Sequence, residues 1–581
     1  MRHLLASVWG RPTGATEPRL PLPWIDVLIL VGMAGIALAV FQTSREWVGH
    51  LRPTVRIELT PWALPRYTLL SLSRGMIAYV LSLGFTLVYG YWAAKDKLAE
   101  HALIPLLDIL QSIPVLGFMP GLVLALVSAF PTSNVGLELA AVLMIFTSQA
   151  WNMTFSYYYS LKSVPLDQRE VAQVYRFSRW QRLRWVELPF ATLGLVWNSM
   201  MSMAGGWFFL MISEAFVLGD KDFRLPGLGS YMSVAVAQGN TAAMLWAVLA
   251  MVVMIVVLDQ LLWRPVVVWA QKFRVEEGGL AEEMHSWFLD WLRRSRLIRW
   301  FASWLRRLSG AVARRLIPKG PHHPAPHPGV ARVGRAVSGA LYLFMVAGLL
   351  YGVVRLVILL HPVTVASWGH IASGAALTLG RVLLSTALGT LWALPAGLAI
   401  GLSPRLSRLL QPVVQVVASF PAPMLFPVVI AALKAAGVTL GWGSVVLMLL
   451  GTQWYILFNV IAGAMAMPAD LREAARSYRL GRWQRFTSLY FPAVFPYLVT
   501  GWITAAGGAW NASIVAEYVT FRGEVLTTRG LGAQISAAAS SANFPALAAS
   551  IVVMSMVVVA FNRFVWRRLQ GLAETRFSLS K

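Results

Sequence analysis

About twelve apolar runs recur along the chain, and each is long enough to cross a lipid bilayer, because a hydrocarbon core of about 30 Å needs about 20 helical residues. Hydrophobic residues make up 57% of the sequence and charged residues only 13%, whereas soluble domains hold about 25% charged residues. The pattern predicts an all-α integral membrane protein with about 12 transmembrane helices. The runs lie near residues 24–42, 68–93, 104–129, 135–158, 188–217, 241–263, 339–360, 372–401, 409–433, 442–466, 491–516 and 544–566.

The formal net charge of +24 does not indicate nucleic acid as a partner. A nucleic-acid-binding protein carries its Lys and Arg on a polar, soluble surface, whereas here the basic residues lie between the apolar runs. The charge instead indicates membrane topology and contact with the headgroups of the lipid bilayer. The sequence has no cysteine, which excludes disulfides and thiolate chemistry. No metal site is predicted, since the histidines show no HExxH spacing; a structural metal in the histidine-bearing stretch 322–327 is the weaker alternative.

Arginines are concentrated in two loops, at 159–187 and 468–490. Because Lys and Arg favour the cytoplasmic side of a membrane, both loops are expected to face the cytoplasm, together with both termini. The loops near 130–135 and 361–370 hold no Lys or Arg and are expected outside. The loop 43–67 violates this rule, since it contains Arg yet must be external if the count of helices is right.

The two halves of the chain repeat each other. The segment VPLDQREVAQVYRFSRWQRLRWVELPFA, which begins at Val164, matches MPADLREAARSYRLGRWQRFTSLYFPAV, which begins at Met467, at an offset of 303 residues. Upstream the offset becomes 307, which pairs Arg74 with Arg381. We therefore predict two parallel six-helix repeats, at 1–266 and 338–581, related by an axis along the membrane normal.

The linker between the repeats, 267–337, starts acidic and then becomes basic and rich in Trp. Its Trp and Leu recur at helical spacing with Arg between them, which predicts a basic amphipathic helix at the cytoplasmic membrane interface. Packing of this helix on a partner subunit is an equally good interpretation. The following stretch, PKGPHHPAPHPG, is typical of an extended tether.

Both Arg-rich loops open with Pro, Asp and Glu in the same order. We expect Asp167 and Asp470 to be N-caps, with Glu170 and Glu473 at the third helical position, because these residues satisfy the free amides of a first helical turn. Each loop therefore begins with a short helix. A capping role alone is the plainer interpretation of the two glutamates, but it does not explain why Trp-Gln-Arg recurs ten residues later in both repeats.

The second of these loops, with EAARSYRLGRWQRF and a closing YFP, resembles the cytoplasmic EAA loop of ATP-binding-cassette (ABC) importer permeases, and EVAQVYRFSRWQRL with ELP resembles it less closely. The resemblance is to the nitrate, sulfonate, taurine and bicarbonate branch and implies a type I ABC importer permease-like fold. In that family the loop is a coupling helix that seats in a groove of the ATPase subunit. The residues that this implies for docking are Glu170, Ala172, Tyr175, Trp180, Glu473, Ala474, Ala475, Tyr478, Gly481 and Trp483.

The same resemblance implies the partners and the location. Two copies of an ABC ATPase, or a heterodimer, would carry ATP and Mg, a solute-binding protein is an optional further partner, and the membrane would be the cytoplasmic (inner) membrane of a bacterium or archaeon. The sequence contains no GxxxxGK[ST] phosphate loop, so we expect no cofactor on this chain and no ATPase activity of its own. Where the family usually has Gly, this chain has Arg176 and Arg479. Either the turn moves to Ser178 and Gly481, or the helix continues.

By this resemblance the chain would carry a small anionic solute by alternating access, along the axis between the repeats. The matched SIP and SFP turns are expected to break the third span of each repeat and to expose backbone beside the pathway. Intramembrane glutamates are functional hypotheses by default, and either solute contact or a structural Glu–Arg pairing fits Glu214 and Glu517. The best candidate pathway residues are those of the two turns, Ser112, Pro114, Ser419 and Pro421, beside the glutamates Glu214 and Glu517. Gln149, Gln453, Trp207, Trp510 and Asn511 are weaker candidates.

A secondary transporter of twelve helices coupled to protons or sodium is the alternative. It would need no ATPase, and Glu214 and Glu517 would be its coupling acids. The paired Arg-rich loops argue against it, because a secondary transporter has no external motor to bind.

Overall fold

The computed structural model describes residues 24–49, 55–218, 221–273, 286–295, 297–300, 303–304 and 328–577. In the first repeat the helices are α1 (Trp24–Val48), α2 (Leu64–Lys95), α3 (Lys97–Ser112), α4 (Val115–Ala129), α5 (Val135–Lys162), α6 (Leu166–Val174), α7 (Arg179–Arg182), α8 (Leu188–Ser213), α9 (Leu228–Ala237), α10 (Thr241–Leu258) and α11 (Arg264–Ala270). Strands β1 (Ala215–Leu218) and β2 (Lys221–Arg224) follow α8.

The linker contributes α12 (Trp287–Arg294). The second repeat has α13 (Pro328–Leu360), α14 (Val365–Leu402), α15 (Pro404–Ser419), α16 (Phe426–Ala435), α17 (Leu440–Met465), α18 (Ala469–Ser477), α19 (Arg482–Arg485), α20 (Phe491–Ala516), α21 (Leu531–Ser540), α22 (Phe544–Phe561) and α23 (Arg567–Arg576), with strands β3 (Tyr518–Phe521) and β4 (Glu524–Thr527) after α20. Single π-helical turns lead into α8, α11, α20 and α23.

All twelve predicted runs fall on helices except for the last residues of 188–217, and the predicted all-α membrane fold is confirmed. Within the described ranges, eight helices are long and apolar enough to cross a membrane, or nine if the bent pair α3 and α4 counts as one span. The other predicted spans are 24–42, within the continuous helix α1, then 135–158, within α5, and 409–433, which falls on the two shorter helices α15 and α16. Helix α5 packs against α2, α4 and α8, so its polar residues face protein rather than lipid.

The third span of each repeat is broken at the place where the sequence predicts a break. Helices α3 and α4 meet at an angle of 98°, with Pro114 at the start of α4. In the second repeat α15 ends at Ser419, and a 3-10 turn at Ala422–Met424 precedes α16. Proline has no amide hydrogen and cannot continue a helix, which explains both breaks.

Each repeat also contains a short antiparallel hairpin that the sequence analysis does not predict, in which β1 pairs with β2 and β3 with β4. In the second hairpin Arg522 and Gly523 both have positive φ, at 50° and 80°, which is typical of the tight turn that joins two strands directly. The predicted span 188–217 therefore ends earlier, at Ser213.

The hairpins show how the two repeats are oriented. Strand β1, which follows the end of α8, packs on α21 of the other repeat, and β3, which follows the end of α20, packs on α9. The far ends of α8 and α20 therefore lie together. Both Arg-rich loops precede these helices, so they lie on one common side of the molecule, as two repeats related by an axis along the membrane normal require.

The linker helix α12 lies within the stretch for which an amphipathic helix is predicted. Ser286 caps it by accepting a hydrogen bond from the Leu289 amide at 3.3 Å, and the Trp287 indole donates to Gln260 Oε1 at 3.1 Å. Residues 274–285 and 305–327 lie outside the described residues, so the predicted tether and its histidines are not covered. The linker boundaries at 267 and 337 stay a prediction.

Candidate functional site

A cavity of about 220 Å³ lies between the two repeats. Its wall is formed by the breaks of the third spans and by the middle of the four central helices, α5, α8, α17 and α20. Every lining side chain is neutral. The polar ones are Gln111, Thr147, Ser148, Trp151, Asn152, Gln415, Ser419, Thr452, Trp454, Tyr455, Thr504 and Asn511, and the aromatic Phe208, Phe209, Phe420 and Phe458 complete the wall.

The hydroxyl groups of the wall donate to carbonyls of their own helices. Thr147 donates to Met144 O at 2.8 Å, and Ser148 donates to Ile145 O at 2.6 Å. Ser419, Thr452 and Thr504 bond in the same way, to carbonyls four residues earlier. These side chains are therefore held against their helices, and their oxygen lone pairs remain available in the cavity.

Five other polar side chains of the wall make no hydrogen bond to a protein group in the described chain. They are Gln111, Trp151, Asn152, Gln415 and Tyr455. An amide supplies two N–H donors and a carbonyl acceptor, and a phenol supplies one O–H donor. Together these groups offer donors for the oxygens of a solute without contributing a formal charge.

The wall is not symmetric, although the repeats are. Trp151 matches Trp454 at the offset of 303, but Asn152 matches Tyr455, and Phe208 matches Asn511. Asn511 spans the interface of the repeats, since its Oδ1 accepts the Val115 amide hydrogen at 2.8 Å. A Phe at the equivalent position cannot accept a hydrogen bond, so only the break of the first repeat is held in this way.

The structure brings three predicted pathway residues, Ser419, Pro421 and Asn511, to the cavity wall. Pro114 lies at the break next to Val115, which does line it, and the side chain of Ser112 lies outside the described residues. Trp207 and Trp510 are buried in the core, with the ring of Trp207 against Gly75. Tyr455, Asn152 and the Trp151–Trp454 pair were missed, although extending the 303 offset through α5 and α17 would have found the Trp pair.

Two further weaker candidates, Gln149 and Gln453, do not line the cavity either. Gln149 is fully buried beside Met203, and Gln453 accepts the Trp392 indole hydrogen at 3.0 Å. Both side chains join helices of their own repeat.

Glu214 and Glu517 lie away from the cavity wall, each in a buried ion cluster. In the first repeat Arg74 bonds both oxygens of Glu138, at 2.6 and 2.7 Å, and Glu214 Oε1 at 2.8 Å. All three side chains are at most 1% exposed. Ser71 and the Gly229 amide donate the remaining hydrogen bonds to Glu214, at 2.6 and 2.7 Å. A buried ion cluster of this kind is retained only when its charges and lone pairs are satisfied.

The second cluster has a single carboxylate. Arg381 donates to Glu517 Oε1 at 2.6 Å, to the Thr528 hydroxyl at 3.1 Å and to the Arg529 carbonyl at 2.8 Å. Thr378 takes the place of Ser71 and donates to both oxygens of Glu517. The Thr528 hydroxyl therefore accepts from Arg381 in the second repeat, whereas the Glu138 carboxylate accepts from Arg74 in the first. Both clusters join helices that are distant in sequence. This geometry fits the structural Glu–Arg pairing, which is one of the two interpretations given above for Glu214 and Glu517.

Close approach explains the matched Gly-Leu-Gly motifs beside the clusters. A Cβ built on Gly227 would overlap the carboxylate of Glu214, and one built on Gly530 would overlap that of Glu517. Glycine is therefore required at both positions for steric reasons, because each backbone segment packs directly on a carboxylate.

The short helices of the Arg-rich loops are present, at α6 and α18, but their predicted caps are wrong. The N-cap positions are Pro165 and Pro468, which make no side-chain cap hydrogen bond, and Asp167 and Asp470 lie inside the first turn. Proline's fixed φ suits the start of a helix. The aspartates still favour the helix, because a negative charge in the first turn interacts well with the helix dipole.

Each short helix ends at an arginine in the left-handed conformation, with φ of 48° at Arg176 and 52° at Arg479. The Arg176 amide donates to Gln173 O at 2.9 Å, and the Phe177 amide donates to Ala172 O at 2.8 Å. Both predicted alternatives are therefore wrong, because the helix does not continue past the arginine and the turn does not move to Ser178 or Gly481. The arginines adopt the turn that Gly normally provides, at a cost of about 1–2 kcal/mol each.

The recurring Trp-Gln-Arg starts the next helix. Ser178 and Gln181 form a capping box, in which the Gln181 amide donates to Ser178 Oγ at 3.2 Å and the Ser178 amide donates to Gln181 Oε1 at 2.8 Å. In the second repeat the Gly481 amide donates to Gln484 Oε1 at 2.9 Å. The conserved spacing of Gln between the two repeats is therefore explained by capping.

Most of the predicted docking side chains are exposed on these loops. They are Glu170, Tyr175, Trp180, Glu473, Ala474, Tyr478, Gly481 and Trp483, whereas Ala172 and Ala475 are buried. Tyr175, Tyr478, Trp180 and Trp483 are each more than 60% exposed. Large exposed aromatic side chains at matched positions are typical of a surface that binds another protein.

Comparisons with known proteins agree with this geometry. A family model for the binding-protein-dependent transport system inner membrane component matches residues 86–262 and again residues 388–571. A nitrate import permease protein of Leptolyngbya laminosa is 27% identical over 190 residues, a taurine transport system permease protein of Escherichia coli 24% over 201, and a bicarbonate transport system permease protein of Synechocystis 28% over 152.

These alignments cover 33%, 34% and 26% of the chain and 64%, 65% and 51% of the three relatives. The chain thus spans less than two thirds of the length of each of these relatives. The predicted relationship to the nitrate, taurine and bicarbonate branch of ABC permeases is confirmed, and the secondary-transporter alternative is not favoured. Because one family model matches both repeats and more than half of the sequence, the chain belongs to the family of binding-protein-dependent transport system inner membrane components, with two permease units in one polypeptide.

Proposed function

We propose that this chain forms the translocation pathway of an ABC importer and carries a small anionic solute by alternating access. The observation that carries the proposal is the cavity between the repeats, on the axis that relates two copies of a permease unit. Rocking of two parallel repeats about such an axis exposes a central site to each side of the membrane in turn.

The proposed solute is small and carries one anionic group. The relatives named as nitrate, taurine and bicarbonate permeases motivate this class, because nitrate and bicarbonate are monovalent anions and taurine, a zwitterion, carries one sulfonate. The wall supplies amide and phenol donors from Asn152, Gln415 and Tyr455 but no cation. Because desolvating an unpaired charge is costly, neutral donors suit a monovalent anion far better than a divalent one.

The energy source in this proposal is a separate ATPase. The chain holds no phosphate loop, so ATP and Mg would bind two copies of an ABC ATPase or a heterodimer, with a solute-binding protein as an optional further partner. The Arg-rich loops would face the cytoplasm in the inner membrane and seat in the ATPase grooves. Closure of the ATPase on ATP would bring α6 and α18 together and open the cavity outward.

Purification from native membranes tests the proposal. The tagged chain should retain an ATP-hydrolysing subunit, and vesicles that contain both should take up nitrate, bicarbonate or a small sulfonate only when ATP is supplied. Asn152→Leu should reduce uptake of the accepted solute while leaving the bound ATPase in place. The control variant is Trp287→Leu, at an exposed position of the linker, which should leave uptake unchanged.

Two results would contradict the proposal. Uptake driven by a proton or sodium gradient without an ATPase would support the secondary transporter instead. Preferential uptake of a divalent anion such as sulfate would refute the recognition of a single charge by neutral donors.

A further inference from the structure

The two short helices of the Arg-rich loops are equivalent in fold but differ in their exposed side chains. Helix α6 exposes Val171 and Val174 at 50% and 78%, one turn apart, beside Tyr175. The equivalent positions of α18 are the exposed Ala474 and Ser477, beside Tyr478. Residues three and four apart form one helix face, so the last turn of α6 is an apolar face and that of α18 is much less apolar.

The charges differ on the same turn. Gln173 of α6 corresponds to Arg476 of α18, and both side chains are exposed. Arginines occupy matched positions at 169 and 472, 176 and 479, 179 and 482, and 182 and 485, whereas Arg184, which lies after α7, corresponds to Thr487. Arg476 therefore adds a cation to the second face at the place where the first face has an uncharged amide next to valine.

Each helix has one exposed leucine near its start: Leu166 of α6 is 71% exposed, and Leu471 of α18 is 38% exposed where α6 has Gln168. The two faces therefore differ mainly in the last turn, where α6 exposes valines and α18 exposes Arg476 and Ser477. A single groove cannot complement both faces equally well.

We propose that the two ATPase-binding sites of this chain are unequal: α6 binds mainly by apolar burial through Val171 and Val174, and α18 binds with a larger electrostatic contribution through Arg476. The partner is the ABC ATPase of the proposed function, on which this inference rests, with an apolar groove and acidic groups near Arg476. Apolar burial is insensitive to moderate salt, whereas contacts between exposed charges weaken as ions screen them.

The absence of native cysteine allows each site to be labelled separately. Ser163 and Ala466 are exposed, equivalent residues just before α6 and α18. A fluorophore on Ser163→Cys or Ala466→Cys reports ATPase binding at one site. The titrations are done without nucleotide, so that ATP does not hold the two ATPase subunits together.

In low salt both labels should respond to the ATPase. In about 0.5 M salt, where the Debye length falls to a few ångströms, the affinity reported at 466 should fall at least about tenfold more than that reported at 163, a difference of about 1.4 kcal/mol. Exchanging the pairs, with Gln173→Arg and Val174→Ser in one variant and Arg476→Gln and Ser477→Val in another, should exchange the salt responses.

Equal salt responses at the two labels would overturn the inference, and so would exchanged pairs that leave the responses where they were. A response at neither label in low salt would instead refute the proposed function, because no ATPase would then bind these loops. The two failures are therefore distinguishable.

Discussion

Arg74 and Arg381 occupy the same position in the two repeats but have different surroundings. Arg74 is 1% exposed and pairs with two carboxylates, whereas Arg381 is 14% exposed and pairs with one. Removal of one member of a buried ion pair leaves an uncompensated charge. The first repeat therefore depends more strongly on its arginine than the second.

Arg74→Gln should lower the free energy of unfolding by about 3–5 kcal/mol, because Glu138 and Glu214 would both lose their cation. Arg381→Gln is the matched variant and should cost clearly less, since Thr378 and two backbone amides still bind Glu517. Thermal unfolding of the purified chain in detergent would measure both. An equal or smaller loss in Arg74→Gln would show that the clusters are equivalent.

The left-handed arginines give a second comparison at this scale. Arg479→Gly should stabilise the turn after α18 by about 1 kcal/mol relative to Arg479→Ala, because both variants lose the charge and only Gly removes the Cβ from the strained conformation. Hydrogen exchange at 478–486 would report the difference. Identical exchange in the two variants would mean that the positive φ of 52° causes no strain.

Among the elements, the broken third spans differ most between the repeats. The break in the first repeat is joined to α20 by the hydrogen bond from the Val115 amide to Asn511. The break in the second repeat has Phe208 at the position equivalent to Asn511 and contains a 3-10 turn instead. Two broken helices at one cavity thus have different backbone support.

Asn511→Leu should destabilise the junction between the repeats by about 1–3 kcal/mol, because it leaves a backbone amide without its partner. Asn511→Asp keeps an acceptor oxygen of the same shape and should retain most of the contact. Hydrogen exchange at the Val115 amide measures the effect directly. Fast exchange in the Asp variant and slow exchange in the Leu variant would contradict the assigned hydrogen bond.

Across the whole molecule, the repeats are joined by more than the linker. Strand β1 packs on α21, β3 packs on α9, and α8 and α20 pack on the broken spans of the opposite repeat. The buried core also contains residues of both repeats in a single cluster. Noncovalent contacts of this extent make the linker dispensable for association.

A protease site inserted within PKGPHHPAPHPG tests this directly. After cleavage the two repeats should still elute together in detergent, because β1, β3, α8 and α20 make contacts between the repeats outside that segment. Fragments that separate at once would mean that covalent linkage holds the repeats together. An uncleaved sample of the same variant is the control.

The sequence by itself determined the helices, the repeat and the position of the Arg-rich loops, because these depend on local properties: apolar runs of bilayer length, proline breaks and a constant offset. It also paired Arg74 with Arg381 and Glu214 with Glu517, since both pairs recur in register. Burial, partners and neighbours depend on contacts between residues more than a hundred positions apart, which no local pattern encodes.

Only the tertiary structure therefore decided that Glu214 and Glu517 join helices instead of lining the cavity, that Glu138 belongs to one cluster, and that Tyr455 and Asn152 face the space between the repeats. It also decided the left-handed turns at Arg176 and Arg479. Glycine is the usual residue in that conformation, but here the hydrogen bonds of the turn hold an arginine in it. Local sequence fixes which helices form, whereas packing fixes which side chains share a site.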